Sequence, residues 1–414
     1  LPNPKVETEF RLGRAFMGIL GAAGLAKEIG VHAPPLFEVI LPMTETAEEM
    51  IAIQEAFKEM TALKHSLYNF EKSDLKHIEI IPLFEQIEVI ISSAKILEKY
   101  LRLHKIKFGF LPSYIRPYLA RSDPALNSGL IPTVLAIKIA LSRYLEFEKK
   151  TGVRLYPIIG TGSLPFRGGL TPETVPDFCR EYRGIRTAVL QSAFRYDYDK
   201  AKVIESIKEM EAALPAGRAA FISGPEEKKL IEIIPAFEKA YRQTIEGIAP
   251  LINQVASELP KRRERVQHIG LFGYSRSNGQ VSLPRAIGFT AVLYSLGVPP
   301  EIIGTGRGLK YARETGHGQL LEKYYIGLKK ELKRAGRFLS KEGLAELARK
   351  SEVWQGVQDD VKQIEIYLGE ELGPVTTEEK EHAKIVKELH KKLWAGEPVA
   401  ELLPALAILR KSLG

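Results

Sequence analysis

An α/β fold is what this sequence predicts, a TIM-type (β/α)8 barrel with additional peripheral helices and a largely helical C-terminal third, because three patterns coincide. Short apolar runs of strand length alternate with amphipathic stretches of helical period. Successive strand ends fall roughly 30–40 residues apart, the spacing of parallel strands joined by helical crossovers. After Leu320 the pattern is helical almost to the end, with Lys/Glu-rich polar faces and no strand signal.

Taken in order, the expected strands are Pro35–Met43, His77–Glu85, Tyr114–Asp123, Leu155–Gly162, Arg186–Phe194 and Val266–Ser275, with a seventh ending near Gly304-Thr305-Gly306. Between them Ala47–Leu63, Gln86–Leu103, Ile131–Lys149 and Ala201–Leu214 carry the three-to-four spacing of helices with one buried face. The one long gap holds a helical insertion, Glu226–Leu259. Seven strands fall one short of a closed eight-stranded barrel. The eighth is expected before residue 1 or within the first thirty residues. Residues 1–414 read as a single catalytic domain, with barrel elements over 1–310 and a helical part over 311–414.

Composition narrows the function. The chain has 414 residues, 45% hydrophobic and 27% charged, an ordinary globular balance. No run approaches the roughly 18 apolar residues of a membrane span. A single cysteine, Cys179, excludes an intrachain disulfide or a multi-thiolate metal site and suits the cytoplasm. The net charge of +8 is mild for this length. Its densest run, Lys261–Arg265, reads as a solvated helix end favoured by the helix dipole. The rival reading is a basic nucleic-acid-binding protein.

In a βα barrel the chemistry sits at the C-terminal ends of the strands. That rule selects Glu85, Arg121-Ser122-Asp123, the turn Gly160–Gly169, Gln191 with Arg195, and Tyr274-Ser275-Arg276. Two hard carboxylates with open positions suit Mg²⁺ or Mn²⁺. Arg121, Arg167, Arg195 and Arg276 offer planar forks for phosphate and carboxylate. Glycine-rich turns let backbone N–H groups approach an anion. Together they describe a metal-assisted reaction on a small phosphorylated carboxylic acid. Each piece has a plainer reading: Glu85 as a helix N-terminal charge, Asp123 as a turn cap, Arg195 as a surface partner of Asp197 or Asp199. Of the histidines, His65, His77, His104, His382 and His390 read as solvated and His268 as core. His32 and His317 are weak site candidates. Nothing marks Cys179 as a nucleophile.

At these residues the sequence resembles phosphoenolpyruvate carboxylase of the archaeal type. The matching segments are PPLFEVILPM (34–43), IPLFE (81–85), LARSDPALNSG (119–129), GTGSLPFRGGLTPE (160–173) and YRGIRTAVLQSAFRYDYD (182–199). LFGYSRSNGQVSLPRAIGFTAVLYSLG (271–297) and the terminal RKSLG (410–414) complete them. The resemblance implies carboxylation of phosphoenolpyruvate by bicarbonate to oxaloacetate and phosphate, through carboxyphosphate and the enolate of pyruvate. It implies Glu85 and Asp123 as ligands of Mg²⁺ or Mn²⁺, which stabilises the developing oxyanion. Arg167, Arg195 and Arg276 are implied to clamp phosphate and bicarbonate, and Arg121 to orient the metal carboxylate or touch substrate. Gly160, Thr161, Gly162, Ser163, Gly168, Gly169, Gln191, Ser275 and Arg285 are implied to line the substrate site. A homotetramer, dicarboxylate inhibition by aspartate or malate, and no nucleic-acid or membrane partner are further implications. The alternative within the same chemistry is another metal-dependent phosphoenolpyruvate- or pyruvate-handling barrel enzyme.

Two departures stand out. The bacterial family loop opens with a histidine and a further arginine where this chain has Ile159 and Thr161. The family's Thr-Gln-His-Pro-Asp motif, whose histidine is the proposed general base, does not occur in these 414 residues. The expectation is that this base and the first strand belong to an N-terminal segment outside this chain.

Overall fold

Parallel strands and long helices follow one another in the computed structural model, which describes residues 1–5, 7, 9–31, 33–63, 75–259, 277–278 and 281–412. The chain opens with α1 (Glu9–Glu28), β1 (Glu38–Leu41), α2 (Ala47–Thr61), β2 (Glu79–Phe84) and α3 (Ile87–Phe108). Next come β3 (Tyr114–Ile115), β4 (Tyr118–Leu119), α4 (Ser122–Ser128), α5 (Leu130–Thr151), β5 (Arg154–Leu155) and β6 (Ile158–Gly160). After the turn Pro165–Arg167 follow α6 (Val175–Glu181), β7 (Thr187–Val189), α7 (Ser192–Tyr196), α8 (Lys200–Ala216) and α9 (Gly224–Ser257). Strands β8 (Ser277–Asn278) and β9 (Val281–Ser282) lead to α10 (Ala286–Ser295) and α11 (Thr305–Glu314). Helices α12 (Gly318–Tyr324), α13 (Leu328–Gly336), α14 (Lys341–Lys350), α15 (Val353–Leu368), α16 (Thr377–Ala395) and α17 (Leu403–Leu409) finish the chain.

The described residues form two compact units. The first holds Leu1–Ala120 and Arg143–Ile158. In it β1, β2 and β4 run parallel, with Glu38 opposite Glu79 and Leu83 opposite Tyr118. Ile80, Ile81 and Phe84 are buried, as β-branched and aromatic residues on a covered parallel sheet should be. Thr46 caps α2 by accepting the Glu49 N–H, and α3 stops at Gly109. The second unit holds Arg121–Ser142, Ile159–Glu264 and Ser275–Gly414. It is dominated by α9, 34 residues long, which packs against α10, α11 and α15.

Four expected strands differ. The run Leu155–Gly162 splits into β5 and β6, with Tyr156 and Pro157 between them. The run Tyr114–Asp123 splits into β3 and β4 because Pro117 has no N–H for a ladder, and Ser122 and Asp123 already lie in α4. The run Arg186–Phe194 ends at Val189, since α7 takes Ser192–Tyr196. No strand ends at Gly304-Thr305-Gly306; α11 begins at Thr305. Gly306 there lies against the Asp360 backbone, where a Cβ would collide, so the glycine marks helix packing. Helix α1 covers most of the first thirty residues. The helices expected over 47–63, 86–103, 131–149, 201–214 and 226–259 are α2, α3, α5, α8 and α9. The helical reading after Leu320 agrees with α13 to α17. Val266–Ser275 and Lys261–Arg265 lie outside the described residues.

Candidate active site

In the second unit the chain enters the turn Gly160–Gly169 from Ile159. Thr161 Oγ1 donates to the Val189 carbonyl of β7 at 2.6 Å. Leu170 N–H donates to Gly162 O at 2.9 Å and Gly169 N–H to Leu164 O at 3.0 Å, closing the turn on itself. Gly162 has a steric purpose. A Cβ there would stand 2.9 Å from Arg167 Cβ and 3.0 Å from Gln191 Oε1. The missing side chain lets Arg167 and Gln191 crowd the same spot. Thr161, Ser163 and Arg167 are all buried.

Three side chains from distant parts of this unit pin the turn. Arg121, only 1% exposed, donates Nη1 to Phe166 O at 2.9 Å, Nη2 to Pro165 O at 3.0 Å and Nε to Tyr182 Oη at 3.0 Å. Arg334 of α13 donates Nη1 to Gly169 O and Nη2 to Ser163 O, at 3.0 and 2.8 Å. Glu301, fully buried, accepts the Phe166 N–H at 2.7 Å and the Tyr294 O–H at 2.8 Å on the same Oε1. Burial pushes the Glu301 carboxyl up to about 7, against the opposing pull of these donors and of Arg121. Its Oε2 is buried with no hydrogen-bond partner.

The remaining expected residues are placed as follows. Glu85 belongs to the first unit, 9% exposed, and its Oε2 accepts the Met43 N–H at 2.8 Å. Met43 has φ +50°, a left-handed backbone uncommon for a side-chain-bearing residue. Asp123 belongs to the second unit, half-buried in the first turn of α4, where the helix dipole favours a carboxylate. Gln191 stands at the N-cap position of α7 without a side-chain hydrogen bond to the helix; Arg195 is exposed, its guanidinium 5.1 Å from the Tyr196 ring centroid. Arg285 precedes α10 and is exposed. Ser275, Arg276, His32, His65 and His268 lie outside the described residues.

Three histidines expected in solvent are buried. His104 donates or accepts at Phe110 O, His390 contacts Leu296 O, and His382 faces the Arg410 guanidinium at 3.1 Å. Their Lys/Glu-rich sequence surroundings describe the outer face of the helices while the rings point inward. His77 is half-buried, and burial with His104 nearby depresses it to about 4. His317 heads α12, 3.9 Å from Glu232. Burial raises the Cys179 thiol to about 11, which keeps it a poor nucleophile. The terminal Arg410 is buried over the Tyr294 ring, and Lys411 pairs with Glu173 at 3.2 Å.

Sequence reasoning missed Glu301 and Arg334. A lone carboxylate in the apolar run GVPPEIIG was the available signal for the first; Arg334 is hidden among the basic residues of LKKELKRAGRF. Among the described residues no group of three or more His, Cys, Asp or Glu side chains is arranged to hold a metal ion.

The family model for phosphoenolpyruvate carboxylase matches residues 1–414. The chain is 37% identical over 415 residues to the phosphoenolpyruvate carboxylase of Leuconostoc mesenteroides, covering all of this chain and 82% of that protein. The Metallosphaera sedula phosphoenolpyruvate carboxylase is 37% identical over 441 residues, covering 100% of this chain and 83% of its own length. That of Methanothermobacter thermautotrophicus is 43% identical over 322 residues, 76% of this chain and 64% of the relative.

Proposed function

The chain belongs to the phosphoenolpyruvate carboxylase family, and on that premise we propose which of its residues serve the carboxylation of phosphoenolpyruvate by bicarbonate. The reaction joins two anions. A bicarbonate oxygen attacks phosphorus, the enolate of pyruvate leaves, and carboxyphosphate breaks down to CO₂ and phosphate. Enolate C3 then forms its bond to CO₂, giving oxaloacetate. Guanidinium groups that bring the anions together, and a site shut to protons, are what the protein must supply.

Arg167 is the residue we assign to the phosphoryl and bicarbonate oxygens. The observation that carries this is the turn that bears it: buried, closed on itself and tied down by Arg121, Glu301 and Arg334. Such fixation means the arginine needs little reordering when the anion arrives. Arg121 itself spends Nε, Nη1 and Nη2 on Tyr182 and two turn carbonyls, so its part is to position the turn. Gly160, Thr161, Gly162, Ser163, Gly168, Gly169 and Gln191 form the wall around Arg167, with Arg195, Arg276, Ser275 and Arg285 as further anion contacts.

Glu85 and Asp123, each on its own family motif, are the proposed cation ligands. Both are hard carboxylate donors, the chemistry Mg²⁺ or Mn²⁺ takes while retaining open positions. A cation bound there supplies Lewis-acid stabilisation of negative charge on the enolate oxygen. A (β/α)8 barrel completed by further strands, a homotetramer, a cytoplasmic setting and inhibition by aspartate or malate complete the reading. Its support is the parallel β1-β2-β4 ladder with intervening helices and the family match.

The test is oxaloacetate formation by the whole protein, coupled to malate dehydrogenase. Oxaloacetate should require bicarbonate and a divalent cation, and Arg167→Ala should abolish it. Turnover of phosphoenolpyruvate that ignores bicarbonate would point instead to another lyase or kinase on a related fold.

A further inference from the structure

We propose that Glu301 is a positioning residue of the carboxylation, holding the Pro165–Arg167 turn through the Phe166 N–H so that Arg167 meets its anion. The proposal rests on the reading of Arg167 given above and deepens it.

The geometry is specific. One carboxylate oxygen, Oε1, receives both the Phe166 amide at 2.7 Å and the Tyr294 hydroxyl at 2.8 Å. Phe166 is the residue immediately before Arg167, so this bond fixes the backbone that launches the guanidinium. The Phe166 ring is itself buried, 5.8 Å from Phe289 and 6.4 Å from Tyr241, which leaves the turn few other places to go. Arg121 grips the Phe166 carbonyl, so the two peptide units flanking Phe166 are held one by a cation and the other by a carboxylate. Nothing in the mechanism otherwise requires a fully buried glutamate at this place, and burying one without an ionic partner is costly.

An ionised carboxylate makes hydrogen bonds about twice as strong as a neutral acid does. The turn is therefore held more tightly when Glu301 is charged. Several groups face this carboxylate or its partner. Tyr294 on α10 donates to it, Tyr241 on α9 and Arg121 before α4 act through space, and Arg334 and Arg410 act on Tyr294. Burial also raises Glu331 on α13, which acts on Arg121 and Arg334, to about 7. That titration is common to the parent and a Glu301 variant and cancels from the ratio of their rates, leaving the step of Glu301 itself. Lowering the pH through about 7 adds a proton to it and weakens its hold on the Phe166 amide.

Glu301→Gln mimics the protonated acid: same shape, an acceptor oxygen, no charge. In the whole protein its kcat/KM should match the parent near pH 6 and fall below it by roughly tenfold near pH 8. Phosphoenolpyruvate and bicarbonate titrate in the same range, so the ratio of parent to variant is the quantity to plot; substrate protonation cancels from it. Tyr294→Phe removes a donor that favours the charged form, and should move the parent-type step in that ratio to higher pH. Glu301→Ala should be slower at every pH.

A ratio that stays flat from pH 6 to 9, with Arg167→Ala inactive, overturns the role of Glu301 and leaves the carboxylase reading standing. A parent protein that forms no oxaloacetate overturns both. Thermal midpoints of the variants at pH 8 separate the expected kinetic loss from unfolding, since Glu301→Gln keeps the volume and an acceptor.

Discussion

Glu301 also makes a prediction that is independent of catalysis. Its carboxyl sits near 4.5 in the unfolded chain and about 7 in the folded one, with burial the main cause. Between those values the folded protein binds more proton than the unfolded one, so stability falls as pH rises through the window and levels off above about 7. The fully buried group contributes a loss of up to about 3 kcal/mol across that interval. In Glu301→Gln this position no longer titrates, and the remaining groups are common to parent and variant. Urea unfolding of parent and variant should give nearly equal stabilities at pH 5, with the variant gaining on the parent up to pH 8. A difference that does not change with pH would mean the carboxyl titrates normally. Such a residue costs stability at the pH where it works best, a pattern that suits groups retained for function. The same scale explains what was readable in the sequence at the site. Gly162, Arg167 and Gly168 stand out by residue type and spacing. Glu301 carries no motif, and its meaning comes from a hydrogen bond to a residue 135 positions away.

Helix α11 shows how elements are locked together in the second unit. Asp360 of α15, fully buried, accepts the Gly304 N–H at 2.8 Å and the Arg307 N–H at 2.8 Å, and its two oxygens also take the Arg307 guanidinium. One carboxylate thereby caps the first turn of α11 and neutralises the cation beside it. Arg307 in turn reaches the Ala240 carbonyl and the Thr244 hydroxyl of α9, joining three helices. Asp360→Ala should cost about 2–4 kcal/mol, because the half-buried Arg307 loses its counter-charge and two amides lose their acceptor. Equilibrium unfolding in urea would measure it, and a loss below about 1 kcal/mol would show that α11 is held without the Asp360 cap, by apolar packing and the bonds of Arg307 to α9. This arrangement also explains why the expected seventh strand is a helix start. Gly304-Thr305-Gly306 has the look of a strand-end turn, yet its glycines serve close approach to Tyr241 and Asp360, both remote in sequence. Strands β1 and β2 are legible because their runs are apolar and β-branched over a full strand length. The third is obscured by Pro117, and the fifth by Ser192–Tyr196, an apolar-aromatic stretch that reads equally as strand or helix.

At the scale of the whole molecule the sequence is most informative about chemistry and least about assembly. Family motifs run from residue 34 to the last residue, while the burial of His104, His382 and His390 emerges only when helices pack. The proposed cation gives the test suited to this scale. A ligand bound by the folded state alone raises its apparent stability by RT ln(1 + [L]/Kd), about 2.7 kcal/mol at a hundredfold excess over Kd. Adding Mg²⁺ or Mn²⁺ should therefore raise the thermal midpoint of the protein, and EDTA should reverse the rise. The net charge of +8 works against diffuse binding of a dication, so the rise should survive replacement of sodium chloride at matched ionic strength. Glu85→Gln and Asp123→Asn each remove one charged donor and should each abolish most of the effect, without activity entering the measurement. An undiminished rise in either variant would remove that carboxylate from the ligand set. An undiminished rise in both would place the cation elsewhere and leave Glu85 as the anchor of the Met43 amide and Asp123 as the acidic first turn of α4.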